Sequence, residues 1–452
     1  MNDPNGPIHW CGRYHLFYQH NPDQTVWGNL HWGHAVSDDL VRWQHMPVAL
    51  GIPDDDLHRH GVWSGCCVAD DDGSAAILYS THDPSTVCLA RSTDDDLRTW
   101  TRHADNPVIL GLPEAARPSD IFRDPYCWRE RGEWRMAIGA GSWDSNGAAL
   151  LFRSHDLQKW EYLGRLGEGP EEGGETEWRG VWECPLFWKI DDTYVLIVSS
   201  LDIRSDPPRA RVLAMTGSYD GIRFEPRVRE RLDYGDAFYA PNVLHTENGR
   251  HIVWAWLREC RSEDVGEQLV WAGCLTLPRV LHLDRDGRVV MAAAPEVEQL
   301  RTFTQTWEPG VGELAAWLKA RAGVSLEMEL TWHGGRSGPR GLAVCAAEDG
   351  SEETRIVHDP DRGLLLIDRS DSRAGQTPSV HSQTVSAPLA TRADSPLELR
   401  IFLDQSVLEV FTGTTACLST RIYPAHTSSI GLRLIGASEQ VKAVSIHEMA
   451  AI

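Results

Sequence analysis

The stretches "SDDLVRW" (37–43), "STDDDLRTW" (92–100), "SHDLQKW" (154–160) and the looser "SYDGIRF" (218–224) decide the fold. Their closing aromatics, Trp43, Trp100, Trp160 and Phe224, stand 57, 60 and 64 residues apart. Each stretch runs from a Ser/Asp turn through an apolar residue to an aromatic, which is how a hairpin tip folds its last strand onto a core. Between the tips lie "RYHLFYQ" (13–19), "AAILYS" (75–80), "WRMAIGA" (134–140), "YVLIVSS" (194–200) and "HIVWAWL" (251–257), bounded by Gly, Asp, Asn and Pro. These alternating or apolar runs read as strands, several to each repeat. A sheet of about four strands cannot cover both of its faces, and repeating such sheets around an axis as propeller blades solves the problem. The repeat zone reaches about residue 295, which predicts five blades.

From about Pro309 the tryptophans thin out. Segments such as "SLEMELTW" (325–332), "GLLLID" (363–368) and "SPLELRIFLD" (395–404) alternate as sandwich strands do. "GELAAWLKA" (312–320) reads as a short helix. The expected chain is therefore all-β: a five-bladed β-propeller over 1–298, a linker over 299–308 and a β-sandwich over 309–452. A length of 452 residues suits two domains with a core each.

With 43 basic and 65 acidic residues the net charge is -22, which repels nucleic-acid phosphates and anionic lipid and favours a neutral ligand. No run approaches the roughly 18 apolar residues of a membrane span, and no basic and then apolar leader precedes the first motif. The expectation is a cytoplasmic protein with no nucleic-acid or membrane partner. The ten cysteines form no C-x-x-C and read as reduced thiols. His31, His34, His58 and His60 lack companions for a metal, so none is expected. Nineteen tryptophans fit both large cores and the stacking of sugar rings.

A second set of motifs keeps the same period. Asp3 in "NDPNG", Ser64 in "WSG", Asp124 in "FRDP", Glu183 in "WECP" and Tyr239 in "AFYAP" are separated by 61, 60, 59 and 56 residues. Equal phase means an equal place in each blade, and on the innermost strand that place faces the axial channel. Taken singly, Asp3 and Asp124 before proline could be turn formers. Three acids converging on one channel would be costly unless used, so chemistry is the better account. Two carboxyls flanking a glycosidic bond are the recurring equipment for its hydrolysis, and a separation of about 5 to 5.5 Å goes with retention through a covalent intermediate. Arg123 stands where it could keep Asp124 ionised or simply pair with it.

In order, "MNDPNG", "LFYQHNP", "HWGHAVSDDLVRW", "WSG", "FRDP", "WECP", "GDAFYAP" and "CLTLPRVL", and later "LRIFLDQSVLEVF" and "STRIYP", resemble glycoside hydrolase family 32, the invertases, fructanases and related β-fructofuranosidases. The resemblance spans nearly the whole chain and implies a five-bladed propeller joined to a β-sandwich. It implies Asp3 as nucleophile, Glu183 as acid/base and Asp124 as the stabiliser that binds fructose hydroxyls. It places further sugar contacts on Asn2, Gln19, Trp27, Ser64, Arg123 and Tyr234. Asp404 and Glu409 read as structural. The implied reaction is retaining release of terminal β-D-fructofuranosyl units from sucrose or short fructo-oligosaccharides, without cofactor. Alternatives are a levan or inulin exohydrolase, a fructosyltransferase, a non-catalytic carbohydrate-binding protein and a propeller scaffold. The oligomeric state is not legible. Trp63 and Ala237 depart from the commoner Phe and Asp and are expected at the pocket rim. The chain starts inside the family's first motif, which leaves an incomplete N-terminus, and with it secretion, open.

Overall fold

The hairpin tips explain themselves in the computed structural model, which describes residues 1–143, 146–169, 178–206, 208–261, 270–334, 338–372, 383–389 and 395–451. In the first tip Asp39 Oδ1 accepts the N–H groups of Val41 and Arg42, at 3.1 and 2.7 Å. In the third, Asp156 Oδ1 accepts from Gln158 and Lys159 at 2.9 Å. The apolar residue that follows, Leu40, Leu97 or Leu157, is left-handed at φ +70, +54 and +60, and buried. That conformation costs an L-residue about 1–2 kcal/mol. The closing indole offsets part of it by donating to the leucine carbonyl: Trp43 to Leu40 at 3.0 Å, Trp100 to Leu97 at 3.0 Å and Trp160 to Leu157 at 2.9 Å. The fourth tip looked looser because it replaces the leucine by Gly221, φ +108, and the indole by the buried ring of Phe224.

Each tip closes an antiparallel sheet. The first runs β1 (Pro4–Trp10), β2 (Arg13–His20), β3 (His31–Ser37), β4 (Gln44–Leu50) in that order. The second runs β5 (Gly65–Ala69), β6 (Ala75–Thr81), β7 (Thr86–Ser92), β8 (Trp100–Arg102). The third runs β9 (Ile121–Glu130), β10 (Glu133–Gly141), β11 (Gly147–Ser154), β12 (Glu161–Glu168). The fourth runs β13 (Val181–Ile190), β14 (Thr193–Asp202), β15 (Arg209–Tyr219), β16 (Phe224–Arg231). The fifth contains β17 (Phe238–His245), β18 (His251–Leu257) and β20 (Arg279–Leu283), with β19 (Cys274–Leu275) also against β18. The first strands meet around the axis: β1 lies against β5, β5 against β9, and β9 against β13. From β17, Asn242 Nδ2 reaches Pro4 O at 3.3 Å and Gly65 O at 3.4 Å, tying the fifth blade to the first two.

Second strands such as "AAILYST" are buried at every residue because both faces meet neighbouring blades, which is why they read as continuous apolar runs. Separate cores fill the gaps between blades. One gathers Phe17, Trp32, Ile77 and Tyr79, another Trp182, Phe187, Leu196 and Leu213, and a third Leu16, Leu40, Leu244 and Trp254. The buried tryptophans among them each remove roughly 150–250 Å² from water, several kcal/mol apiece.

The chain divides into two compact units, one of Met1–Leu232, Tyr239–Trp256 and Glu263–Val289, the other of Asp233–Phe238, Leu257–Ser262 and Val290–Ile452. In the second, a six-stranded sheet and a five-stranded sheet share a single core that includes Met328, Trp332, Ile356, Ile367 and Leu408, a β-sandwich. The helix α1 (Leu314–Lys319) buries Leu314 and Leu318 in that core. Asp404 ends one strand and Glu409 is buried within another.

Candidate active site

Successive residues of a strand face opposite sides of its sheet, and the innermost strands break this rule where the acids lie. In β9, Arg123 pairs with Gly139 and Tyr126 with Ala137, so residues 124 and 125 bulge opposite one partner. In β13, Glu183 pairs with Ser199 and Leu186 with Ile197, and residues 184 and 185 bulge likewise. Asp124 and Cys184, at φ +65 and +45, form the turn of each bulge. Pro125 and Pro185 follow them with no N–H to leave unpaired. In β1 the same bulge falls at Gly6, φ +41, and Pro7.

The shared sequence phase is therefore not one structural place. Arg123 and Glu183 are equivalent, each just before a bulge; Asp124 and Cys184 are equivalent within one; Asp3 lies three residues ahead of its own. A bulge adds a residue without changing the spacing of the motifs. It also lets two consecutive side chains, Arg123 and Asp124, face the same hollow.

The contacts follow these equivalences. Arg123 Nε donates to Glu183 Oε1 at 3.0 Å, with Nη2 on the same oxygen. The Tyr239 hydroxyl donates to Glu183 Oε2. The Cys184 N–H donates to Asp124 Oδ2 at 3.0 Å, and the Asp124 N–H to Ser80 Oγ at 2.7 Å. Ser64 Oγ donates to Asp3 Oδ2 at 2.6 Å and Asn2 Nδ2 to Asp3 Oδ1 at 3.2 Å. The Cys184 thiol sits between the two aspartates, 3.9 Å from Asp3 Oδ2 and 3.6 Å from Asp124 Oδ2. Three carboxyls from three blades thus share one hollow with one guanidinium.

Burial pushes the Asp124 carboxyl up; Arg123 pulls it back, Glu183 and Asp3 push it up again, and it settles at about 7. Burial also raises Asp3 against the opposing bonds from Ser64 and Asn2. Burial works against the Arg123 charge, but the Glu183 and Asp124 carboxyls outweigh it and hold the guanidinium protonated. Three like charges against one cation cannot all persist, so the hollow retains protons near neutral pH.

The remaining residues singled out in the sequence fall in different settings. Trp27 is 62% exposed and meets Trp63 edge-on at 5.5 Å. Trp63 stacks on His82 at 4.6 Å and carries the Arg123 guanidinium 5.4 Å from its ring, so this aromatic wall joins the cluster. Gln19 is fully buried. Its amide donates to Val62 O at 3.0 Å, while its backbone clasps Asn2 and Asp3. It holds the Asp3 segment in place, and its Oε1 is buried with no hydrogen-bond partner among the described residues. Tyr234 lies in the second unit, its ring against the sandwich core and its N–H on Cys417 O. Ala237 is also in that unit and fully buried, with its N–H on Ser419 O, so it is not a rim residue.

Three residues at the cluster carried no site role in the sequence reading. Tyr239 was on the repeat, and its spacing from Glu183 was the available signal; it precedes the left-handed Ala240 as Glu183 precedes Cys184 and Arg123 precedes Asp124. Cys184 was visible only as the neighbour of Glu183. Ser80 had no local signal, because its hydroxyl reaches the cluster from the next blade. Behind Glu183, Trp182 is fully buried, and its indole occupies the space left by Gly147, where a Cβ would stand 2.0 Å from the ring. That packing fixes the strand from which Glu183 projects.

A propeller that gathers carboxyls from separate blades at its axis, with retained protons and an aromatic wall beside them, is built as a glycoside hydrolase. Sequence comparison gives the particular family. Residues 1–293 match the Glycosyl hydrolases family 32 N-terminal domain, and residues 296–449 match the Glycosyl hydrolases family 32 C terminal. The chain belongs to glycosyl hydrolase family 32. It is 36% identical to the raffinose invertase of Escherichia coli, over 95% of this chain and 88% of the relative. It is 32% identical to a sucrose-6-phosphate hydrolase of Zymomonas mobilis, over 95% and 86%. Among solved structures, fructan 1-exohydrolase IIa from Cichorium intybus superposes with a TM-score of 0.83 at 25% identity, covering 100% of this chain and 95% of the other.

Proposed function

We propose that this chain releases terminal non-reducing β-D-fructofuranosyl units from sucrose or short fructo-oligosaccharides, with retention. Asp3 attacks the anomeric carbon as the bond to the leaving oxygen breaks, and Glu183 gives that oxygen its proton. Glu183 then takes a proton from water, whose oxygen attacks the anomeric carbon and frees Asp3. Asp124 holds ring hydroxyls while positive charge develops on the sugar, and Arg123 and Tyr239 fix the Glu183 carboxyl. The observation that carries the reading is the bonded cluster of Asp3, Asp124 and Glu183, drawn from three blades. Solved relatives lend support: one is a Bombyx mori β-fructofuranosidase mutant in complex with sucrose, another the Cichorium enzyme in complex with 1-kestose. Asp3→Asn is expected to abolish fructose release from sucrose while melting close to the parent; turnover at the parent rate would remove Asp3 from the reaction.

The fructan 1-exohydrolase likeness favours a second reading within the same chemistry, hydrolysis of inulin- or levan-type chains. Parallel incubation with sucrose, inulin and levan distinguishes the two by rate of fructose release. Oligosaccharides accumulating at high sucrose would instead indicate transfer to a sugar.

A further inference from the structure

The inner strands enter the channel at the acid cluster and leave it at the opposite end. There, their later residues surround a second cavity of about 650 Å³ with contributions from all five blades, including Ile8, Val68, Trp128, Lys189 and Val243. Trp128 stands four positions beyond Asp124, roughly 13 Å of strand. Asn242 bridges Pro4 O and Gly65 O across the axis, and Gly6 is pressed so closely on β5 that a Cβ would lie 2.5 Å from Cys67 N. The reaction assigned above uses none of the residues that line this cavity.

Its wall is aromatic and hydrogen-bonded. The Tyr126 hydroxyl bonds to His245 Nε2 at 2.8 Å, and His245 Nδ1 to His251 Nδ1 at 2.9 Å. Trp188 lies 5.5 and 5.7 Å from the two imidazoles, and the Trp128 ring stacks near Tyr126 at 6.3 Å. These bonds fix the rings: Tyr126 and Trp188 are buried, while Trp128 and His245 keep exposed surface on the cavity wall without a further cost in side-chain freedom. At the lip, Arg129 and Lys189 are balanced by Glu130 and Glu247, and Arg129 is already engaged by Asp71. Such a lip has no net field for an anion. A volume in the range of small-ligand sites, fixed aromatic planes and balanced polar groups fit a neutral polyhydroxylated molecule, stacked by its C–H faces and held by its hydroxyls.

We propose that this cavity is a second, non-catalytic saccharide site taking a neutral di- or trisaccharide, in a chain whose net charge of -22 already disfavours anions. The test is a calorimetric titration of the full-length chain carrying Asp3→Asn, with sucrose and separately with 1-kestose. The same titrations follow with Ala69→Trp added, which fills the cavity from an exposed lip position. Ala69→Trp is expected to remove one binding equivalent for at least one of the two probes. On the background with Asp3 intact it should leave kcat/KM for sucrose within twofold of the parent. Trp128→Ala provides a second route to the same loss. An unchanged number of equivalents with both probes in both variants overturns the proposal, as does loss of binding accompanied by loss of kcat/KM. Inactivity towards sucrose would overturn only the hydrolase reading, since the count of equivalents does not depend on turnover.

Discussion

At the scale of single residues, the site is governed by how much charge one hollow tolerates. Asp124, ordinarily near 3.8, settles at about 7. Between those values the folded chain binds a proton that the unfolded chain does not, so stability falls as pH rises through this window. Asp124→Asn is expected to remove activity yet raise stability by on the order of 2–4 kcal/mol above pH 7. The gain should vanish near pH 4, checked by thermal unfolding across that range; a gain independent of pH would remove the carboxyl charge as its cause. Ser64 works in the opposite sense. Its bond favours the ionised form of Asp3, and a bond to a charged group contributes about 1.5–3 kcal/mol. Ser64→Ala is therefore expected to move the acid limb of the kcat/KM profile upward by about one pH unit or more. A loss of rate with an unmoved limb would show that Ser64 only shapes the pocket.

At the scale of elements, the tips and the bulges do different work. The tips are local devices: one carboxylate gathers two N–H groups, a left-handed residue turns the chain, and an indole closes the turn. Asp156→Ala removes an acceptor for Gln158 and Lys159, and is expected to cost about 1–2 kcal/mol. The loss is read as an earlier denaturant midpoint with kcat unchanged. These tips were legible because all their partners lie within seven residues of sequence. The bulges were not. Spacing showed that Asp3, Asp124 and Glu183 recur, but only pairing with the next strand shows which of two consecutive residues faces the axis. Hence Arg123 and Tyr239 prove to be the counterparts of Glu183, and Gln19, in a matched motif, proves to be bonded through its backbone to Asn2 and Asp3.

At the scale of the molecule, the propeller is a ring that must close. Asn242 supplies part of the closure by bonding carbonyls of two other blades. Asn242→Leu keeps the branching of the side chain and leaves both carbonyls without that donor. The expected cost is about 1–3 kcal/mol, with a matching loss of activity above the lowered melting point and near-parent activity well below it. Activity lost at all temperatures would mean that the closure also sets the acid geometry.

The repeat of turn, apolar residue and aromatic, together with the reach of the repeat zone to about residue 295, by itself determined the all-β propeller and its five blades, because each tip folds through neighbours in sequence. Motif order alone likewise pointed to the family. Tertiary structure decided what those acids touch: which carboxyl the guanidinium holds, where the thiol of Cys184 sits, and that Tyr234 and Ala237 belong to the sandwich unit. The physical reason is that these contacts join residues some sixty or more positions apart, and a strand's alternation, once shifted by a bulge, is fixed only by the strand beside it.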